Sequence, residues 1–378
     1  MEKIKLIATT TFGLEAVVKR ELFELGYTDL EVENGRITFK ADVTAIPRTN
    51  LWLRSADRVL LRVGEFNALS FEELFEKTKA LPWDEWITED GKFTVTGKSV
   101  KSKLYSVPDC QSIVKKAIVE KLKEKYQREW FEETGAEFTV QVSLLKDMAA
   151  LTIDTSGVGL HKRGYRKSAV EAPLKETLAA ALVQLSFWNK ERLLLDPLCG
   201  SGTIPIEAAL IGRNIAPGLN RSFASETWPR IGKELWKQAR LEAFKAIDQE
   251  SEIEIIAADI DSKAVELAED NAVEAGVDDC IKFSCSDLAD LRLNRDYGVL
   301  ICNPPYGERI GQDEELRSIY AALKKGFGNN KTWSIYVITS DDRFENIYGS
   351  IADKKRKLYN GRIKVNYYQF FGARPPIK

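Results

Sequence analysis

Two stretches of this chain carry residue types that could do chemistry together. The first is Asp196-Pro197-Leu198-Cys199-Gly200-Ser201-Gly202-Thr203, entered from Leu193-Leu194-Leu195 and followed by Ile204-Pro205-Ile206-Glu207-Ala208-Ala209. An apolar run, an acid, two glycines and then helix formers describe a strand, a tight turn and a helix start. The acid stands where open α/β sheets bind ligands. The glycines let a ligand approach the main chain, and the helix start offers N–H groups that lack intrahelical partners. A phosphate-binding P-loop would need Lys after the second glycine, and Thr203 stands there. A dinucleotide turn would need a third glycine, and Pro205 occupies its place. The remaining ligand is S-adenosylmethionine, whose cationic amino group suits Asp196 and whose nucleoside carries no phosphate. Pro197, Gly200, Ser201, Gly202 and Thr203 complete this candidate cofactor turn. An ordinary tight βα turn shares the same local pattern.

The second stretch is Val299-Leu300-Ile301-Cys302 running into Asn303-Pro304-Pro305-Tyr306. It suits an amino group as methyl acceptor. The lone pair of an aromatic amine is delocalised into its ring. Two acceptors aimed at its hydrogens favour the pyramidal, nucleophilic form. The Asn303 side-chain oxygen can be one and the Pro304 main-chain carbonyl the other. Two prolines stiffen the loop, so the acceptors are preorganised. Tyr306 offers a face on which a base can stack, and Asn303 also borders the cofactor. A base inside a helix cannot reach such a pocket, so the target must be unpaired or flipped out. Cys302, within a strand, reads as a buried small residue. Asp-Pro-Leu-Cys-Gly-Ser-Gly-Thr followed by Asn-Pro-Pro-Tyr resembles the class I methyltransferases that modify exocyclic amino groups.

The elements around these stretches must bring strand ends to one crevice. Glu254 to Ala258 reads as a strand ending at Asp259, and Ser262 to Ala275 as a helix. Ile281 to Ser284 reads as a third strand, with Ser286-Asp287 just beyond. Asp259 could accept both ribose hydroxyls and Asp287 the adenine amino group. Asp261 fits a helix cap better than a ligand. Residues 212–250 delay the second strand as an insert with a helix from Lys233 to Ile247. Its Trp228 and Trp236 read as core. Trp333 to Thr339 and a hairpin at Tyr359-Asn360-Gly361-Arg362 leading to Val365–Phe371 supply the last strands. The alternation implies an α/β fold with a doubly wound, mostly parallel sheet. The resemblance adds an antiparallel final strand, and the alanine-rich helix 172–182 as a cover over the cofactor.

Ahead of this domain, residues 1–66 give the order β-α-β-β-α-β of a ferredoxin-like unit, with a hairpin at Asn34-Gly35. Residues 67–155 form a basic α+β module. Ser70 and Glu73 make a capping box, Lys92 to Thr96 is a strand, and Pro108 to Trp130 is a long helix. Residues 92–128 hold ten Lys/Arg against three Asp/Glu. Lys115, Lys116, Lys121, Lys123 and Lys125 at helical spacing could meet phosphates without reading sequence. In position and pattern the module resembles a THUMP domain, an RNA-binding module. Residues 156–171 form a glycine-punctuated linker containing the basic run His161-Lys162-Arg163-Gly164-Tyr165-Arg166-Lys167. Arg163, Arg166 and the cluster Lys354–Lys357 are further RNA-contact candidates. The methyltransferase domain is expected at 172–378.

The chain of 378 residues has net charge -2, so only local patches point to a polyanion. It has five cysteines without a C-x-x-C pair and one histidine, His161, with no G-x-S-x-G elbow. Neither a transition-metal site nor a His-based triad is expected. Without a signal peptide or an apolar run of ~20 residues, a cytoplasmic protein is expected. The whole chain resembles the THUMP-containing guanine methyltransferases of large-subunit ribosomal RNA. The resemblance rests on both N-terminal modules, His-Lys-Arg-Gly-Tyr-Arg, the glycine turn and Asn-Pro-Pro-Tyr-Gly-Glu-Arg. It implies transfer of a methyl group from S-adenosylmethionine to the 2-amino group of a guanosine, directly and in line. Some relatives carry a second methyltransferase domain, not expected in a chain ending at Lys378. A transfer RNA guanosine, a DNA adenine and a non-catalytic RNA-binding assembly factor are the alternatives. The sequence leaves monomer or dimer open.

Overall fold

The computed structural model describes residues 3–166, 174–291, 295–306 and 313–376. The expectations for Lys167, for Ala172 and Pro173 at the head of the alanine-rich helix, and for Gly307-Glu308-Arg309 lie outside the described residues. The contacts divide the chain into two units. One contains the segment ending at Thr10, Lys19–Leu160 and Ser222–Glu242; the other contains Thr11–Val18, His161–Arg221 and Ala243–Lys378.

The first unit opens with β1 (Ile4–Thr9), α1 (Glu15–Glu24; its residues up to Val18 count with the second unit), β2 (Leu30–Glu33), β3 (Arg36–Ala41), α2 (Ala45–Trp52) and β4 (Arg58–Asn67). It continues with α3 (Phe71–Lys79), β5 (Lys92–Val100), α4 (Val107–Tyr126), β6 (Glu137–Leu145) and β7 (Met148–Asp154). All seven strands form one sheet, in the order β2-β3-β1-β4-β7-β6-β5. The two modules expected as separate are thus joined through the antiparallel pair β4–β7. Ladder groups left open on β4 find their partners on β7.

Ser70 caps α3 and accepts from the Glu73 N–H at 3.2 Å, while the Glu73 carboxylate accepts from Leu69 rather than from Ser70. Helix α4 stops at Tyr126, short of the expected Trp130. Gln127 turns left-handed, with φ 53°, and its N–H closes on the Lys123 carbonyl. Trp130 lies beyond the helix and is 81% exposed. Trp228, from the insert, is buried against Phe138 and Trp86, and its indole N–H donates to the Glu137 carbonyl at 3.1 Å.

The second unit contains α5 (Glu176–Leu185), β8 (Leu194–Asp196) and α6 (Thr203–Gly212), and takes only the end of α7 (Gly232–Lys245), which up to Glu242 belongs to the first unit. Then come β9 (Ile255–Asp259), α8 (Ser262–Ala275), β10 (Ile281–Cys285), β11 (Val299–Cys302) and α9 (Asp313–Phe327). The chain closes with β12 (Ser334–Thr339), α10 (Phe344–Tyr348), β13 (Lys354–Asn360) and β14 (Ile363–Phe370). The strand order is β10-β9-β8-β11-β12-β14-β13. β14 runs against β12, and the strands from β10 to β12 are parallel. This is the doubly wound, mostly parallel α/β sheet expected, with its antiparallel strand near the end of the chain. The chain leaves β8 toward β9 and β10 and returns to β11 on its other side, so order reverses between β8 and β11. Ligands bind at the strand ends beside such a reversal. Ala179, Ala180 and Ala181 of α5 and Ala208 and Ala209 of α6 are fully buried. With no longer side chains there, the helices behind the sheet pack closely. β13 is an edge strand, and Lys354, Lys355 and Lys357 keep it exposed and charged, which guards against pairing with another edge.

Candidate active site

Asp196 ends β8, and Asp259 ends the neighbouring β9. Asp196 is 1% exposed, and its Oδ1 accepts from the Leu198 N–H at 3.2 Å. Burial pushes its carboxyl well above the usual carboxylate range; the Leu198 N–H opposes this and the Asp259 charge adds to it. A cation placed beside it would restore its charge. Asp259 holds the glycine turn: its Oδ2 accepts from the Gly200 N–H at 2.9 Å and its Oδ1 from the Asp261 N–H at 3.1 Å. Each carboxylate oxygen has a second lone pair left for a hydroxyl. Asp261 caps α8, accepting from the Lys263 N–H at 2.9 Å. Asp287 lies beyond β10, exposed, with its Oδ1 on the Ala289 N–H at 2.8 Å.

Pro197 and Ser201 are enclosed in the turn. The Cys199 N–H donates to the Ala258 carbonyl of β9 at 2.9 Å and the Gly202 N–H closes on the Cys199 carbonyl at 2.8 Å. Gly200 has φ +51° and open space where a side chain would point. Gly202 has φ +79°, and a Cβ there would meet the Ala268 Cβ of α8 at 3.0 Å. One glycine thus leaves a cradle on its Cβ side, and the other lets α6 start close against α8. Pro205 sits in the first turn of α6, where a missing N–H costs nothing. A buried carboxylate with no cationic side chain paired to it among the described residues, an open glycine and adjacent helix N–H groups fit an adenosyl amino acid.

Asn303 follows β11, beside β8. Its Oδ1 is buried and has no hydrogen-bond partner among the described residues. Pro304 is buried and Pro305 exposed. Tyr306 packs on the core of this unit, with its hydroxyl accepting from Asn360 Nδ2 at 3.4 Å. Cys302 is fully buried, and burial holds its thiol well above the usual range, unfit as a nucleophile.

Three supporting residues escaped the sequence reading. Asn271 of α8 donates to the Ser201 carbonyl at 3.0 Å. Glu207 of α6 is fully buried against Arg163 and the Tyr165 hydroxyl. Glu176 of α5 lies 3.4 Å from Arg166. A buried acid within a helical apolar run is the only signal the sequence held for Glu207.

These contacts correct two RNA-contact expectations. Arg163 is 3% exposed and paired with Glu207, so it cannot present its charge to a polymer. Arg166 donates to Thr203 Oγ1 at 2.7 Å and to the Leu174 carbonyl at 3.3 Å, and so serves the helix start after the glycine turn. On α4, Lys115 and Lys116 are exposed, over the rings of Phe93 and Phe75. Lys121 and Lys125 flank Asp84, at 3.8 and 3.7 Å, and Lys123 pairs with Glu129 at 2.8 Å. The helix therefore offers less free charge than its lysine count suggests. Among the described residues no group of three or more His, Cys, Asp and Glu is placed to hold a metal ion, and no helix is long and apolar enough to cross a membrane.

Residues 163–369 match the family described as "RMKL-like, methyltransferase domain". Residues 5–60 match the "RlmL ferredoxin-like domain" and residues 68–154 the "THUMP domain". The chain is similar to "Putative RNA methyltransferase YpsC" of Bacillus subtilis, 54% identical over 100% of this chain and 99% of that one. It is similar to "Ribosomal RNA large subunit methyltransferase K/L" of Syntrophotalea carbinolica, 34% identical over 99% of this chain. The chain spans only 55% of that relative. Among solved structures, "SMU.472, a putative methyltransferase complexed with SAH" superposes with TM-score 0.94 at 47% identity, covering 99% of this chain and 100% of that one.

Proposed function

The chain belongs to the family of RMKL-like methyltransferases, and on that footing we propose that it methylates the exocyclic 2-amino group of a guanosine in large-subunit ribosomal RNA, in the cytoplasm, using S-adenosylmethionine. It is an S-adenosylmethionine-dependent RNA methyltransferase in the coarser sense that its family and its relatives support. The observation that carries the amino group as acceptor is the buried Oδ1 of Asn303, without a hydrogen-bond partner among the described residues, while guanosine and large-subunit RNA rest on the likeness to the ribosomal RNA methyltransferases. A buried acceptor without a donor is costly, by about 1–3 kcal/mol. An N–H of the target amine would satisfy it.

S-adenosylmethionine, when bound, supplies an electrophilic methyl group on a sulfonium. Asp196 would hold its ammonium, Asp259 its ribose hydroxyls and Asp287 its adenine amine. Asn303 and the Pro304 carbonyl each accept an N–H of the substrate amine and turn its lone pair outward. Tyr306, tethered by Asn360, gives the base a wall. No residue need act as a strong base, because the amine loses its proton to water after its nitrogen has become cationic. The chain's main contribution is position.

The test is methyl transfer from labelled S-adenosylmethionine to ribosomal RNA, transfer RNA and DNA from cells lacking the enzyme, with the modified nucleoside identified by mass. The expected product is N2-methylguanosine in large-subunit RNA. Methyl groups found only in transfer RNA, or on adenine in DNA, would overturn the assignment. Asn303→Ala should lower turnover by about 10²–10³ with little change in cofactor affinity. Transfer within a factor of about two of wild type would remove Asn303 from the acceptor site.

A further inference from the structure

The first unit has a cleft of about 390 Å³ lined by Lys3, Lys5, Arg62, Glu65, Trp86 and Arg230, with Glu85 at its edge. That volume falls within the range of about 300–1,000 Å³ typical of ligand pockets. Its charges are arranged against the protein's own stability. In the ladder, Lys5 of β1 stands directly opposite Lys40 of β3 on one side and Arg62 of β4 on the other. Like charges in facing positions destabilise a sheet. A register shift between Arg62 and Gly64 turns the strand so that Arg62 and Glu65 share one face, where they pair at 2.9 Å. Arg230, supplied by the insert, pairs with Glu85 at 2.6 Å and lies 4.2 Å over the Trp86 ring. Each acid therefore holds one arginine in place. Lys3, Lys5 and Lys40 have no acidic partner among the described residues, and all three are exposed.

We propose that this cleft binds backbone phosphates of the substrate RNA, with Lys3 and Lys5 as its free cations and Arg230 as a fixed guanidinium from the insert. The proposal rests on the RNA methyltransferase reading. An anion seated there would relieve the row Lys40–Lys5–Arg62, and a stacked, acid-held arginine keeps its donors oriented for phosphate. The helix α4 lysines are largely answered by acids of the same unit, so the cleft is the stronger polyanion site.

The experiment uses the full chain and total ribosomal RNA from cells lacking the enzyme. The double variant Lys3→Gln, Lys5→Gln should bind this RNA about tenfold more weakly at ~0.1 M salt, and the slope of log affinity against log salt should flatten by roughly 1–2. Its melting temperature should stay level or rise, because a repulsion has been removed. S-adenosylmethionine affinity should stay unchanged. Arg230→Ala should also weaken RNA binding. Wild-type affinity and slope in the double variant would overturn the proposal, as would guanosine monophosphate binding in the cleft without any effect on RNA affinity. Failure of the wild-type protein to bind or methylate RNA would overturn the underlying function as well; methylation by wild type with an unaltered variant overturns the cleft alone.

Discussion

Asp196 is a carboxyl kept almost dry, and that has a sign. A carboxyl whose folded pKa is raised binds its proton more tightly in the folded chain. Stability is therefore lost as pH rises from the unfolded value of about 3.9 through the raised one. At neutral pH the free protein bears this cost in exchange for affinity. Asp196→Asn should raise the melting temperature at pH 7 while weakening S-adenosylmethionine binding by about 1.5–3 kcal/mol, the scale of a charged hydrogen bond. Calorimetry reads both; a lower melting point with unchanged affinity would contradict the assignment. His161 runs the other way. Burial, and then Lys175, Lys162, Arg163 and Arg221, press its pKa from 6.5 to about 4. The unfolded chain then binds more protons between those values, so stability is lost as pH falls from about 6.5 toward 4. A proton-NMR titration of the ring should show a midpoint near 4; one near 6.5 would mean the imidazole is not so enclosed. At this scale the sequence located Asp196, Asp259 and Asn303 at strand ends, because each closes an apolar run. It could not disclose Asn271 on Ser201, 70 residues away, because nothing local marks such a pair.

Among the elements, the turn from β8 into α6 depends on two glycines for different reasons. Gly202→Ala should destabilise by about 1–3 kcal/mol. It places a side chain at φ +79° and presses on Ala268, which α8 holds in place. Gly200→Ala meets open space, so it should cost only the left-handed backbone, about 1–2 kcal/mol, and act mainly on cofactor affinity. Denaturant melts and cofactor titrations of the two variants, side by side, check the division; equal effects on both readouts would refute it. Hairpins at Asn34-Gly35 and Gly361-Arg362 were legible because a tight turn demands such residues. The end of α4 was not. Gln127 is an ordinary helix former, and only its left-handed cap stops the helix. The charge answering Lys121 and Lys125 comes from Asp84, outside α4 altogether.

In the whole molecule, the run of elements announced both the βαββαβ unit and the doubly wound sheet, because alternation of strand and helix is written in the periodicity of apolar residues. What joins β4 to β7, and which unit takes up residues 222–242, was not written there. A strand's pattern shows how it is buried, not which strand it pairs with. Trp228 is needed by Phe138 and Trp86, so a fragment ending near residue 165 leaves their face open. Loss of a buried Trp costs about 3–5 kcal/mol. Such a fragment should show weak near-UV dichroism and a broad melt, and grafting residues 222–242 onto it should sharpen both. A cooperative melt without the graft would show that the insert is dispensable to that unit.

The same discontinuity sets a clock during synthesis. An N-terminal unit usually completes itself while the rest of the chain is still being made. This one must wait for a segment that ends at Glu242. At ~5–20 residues per second, residues 161–242 take roughly 4–16 s to emerge. Throughout that interval the nascent chain displays Phe138 and Trp86 uncovered, the kind of surface a chaperone at the ribosome holds.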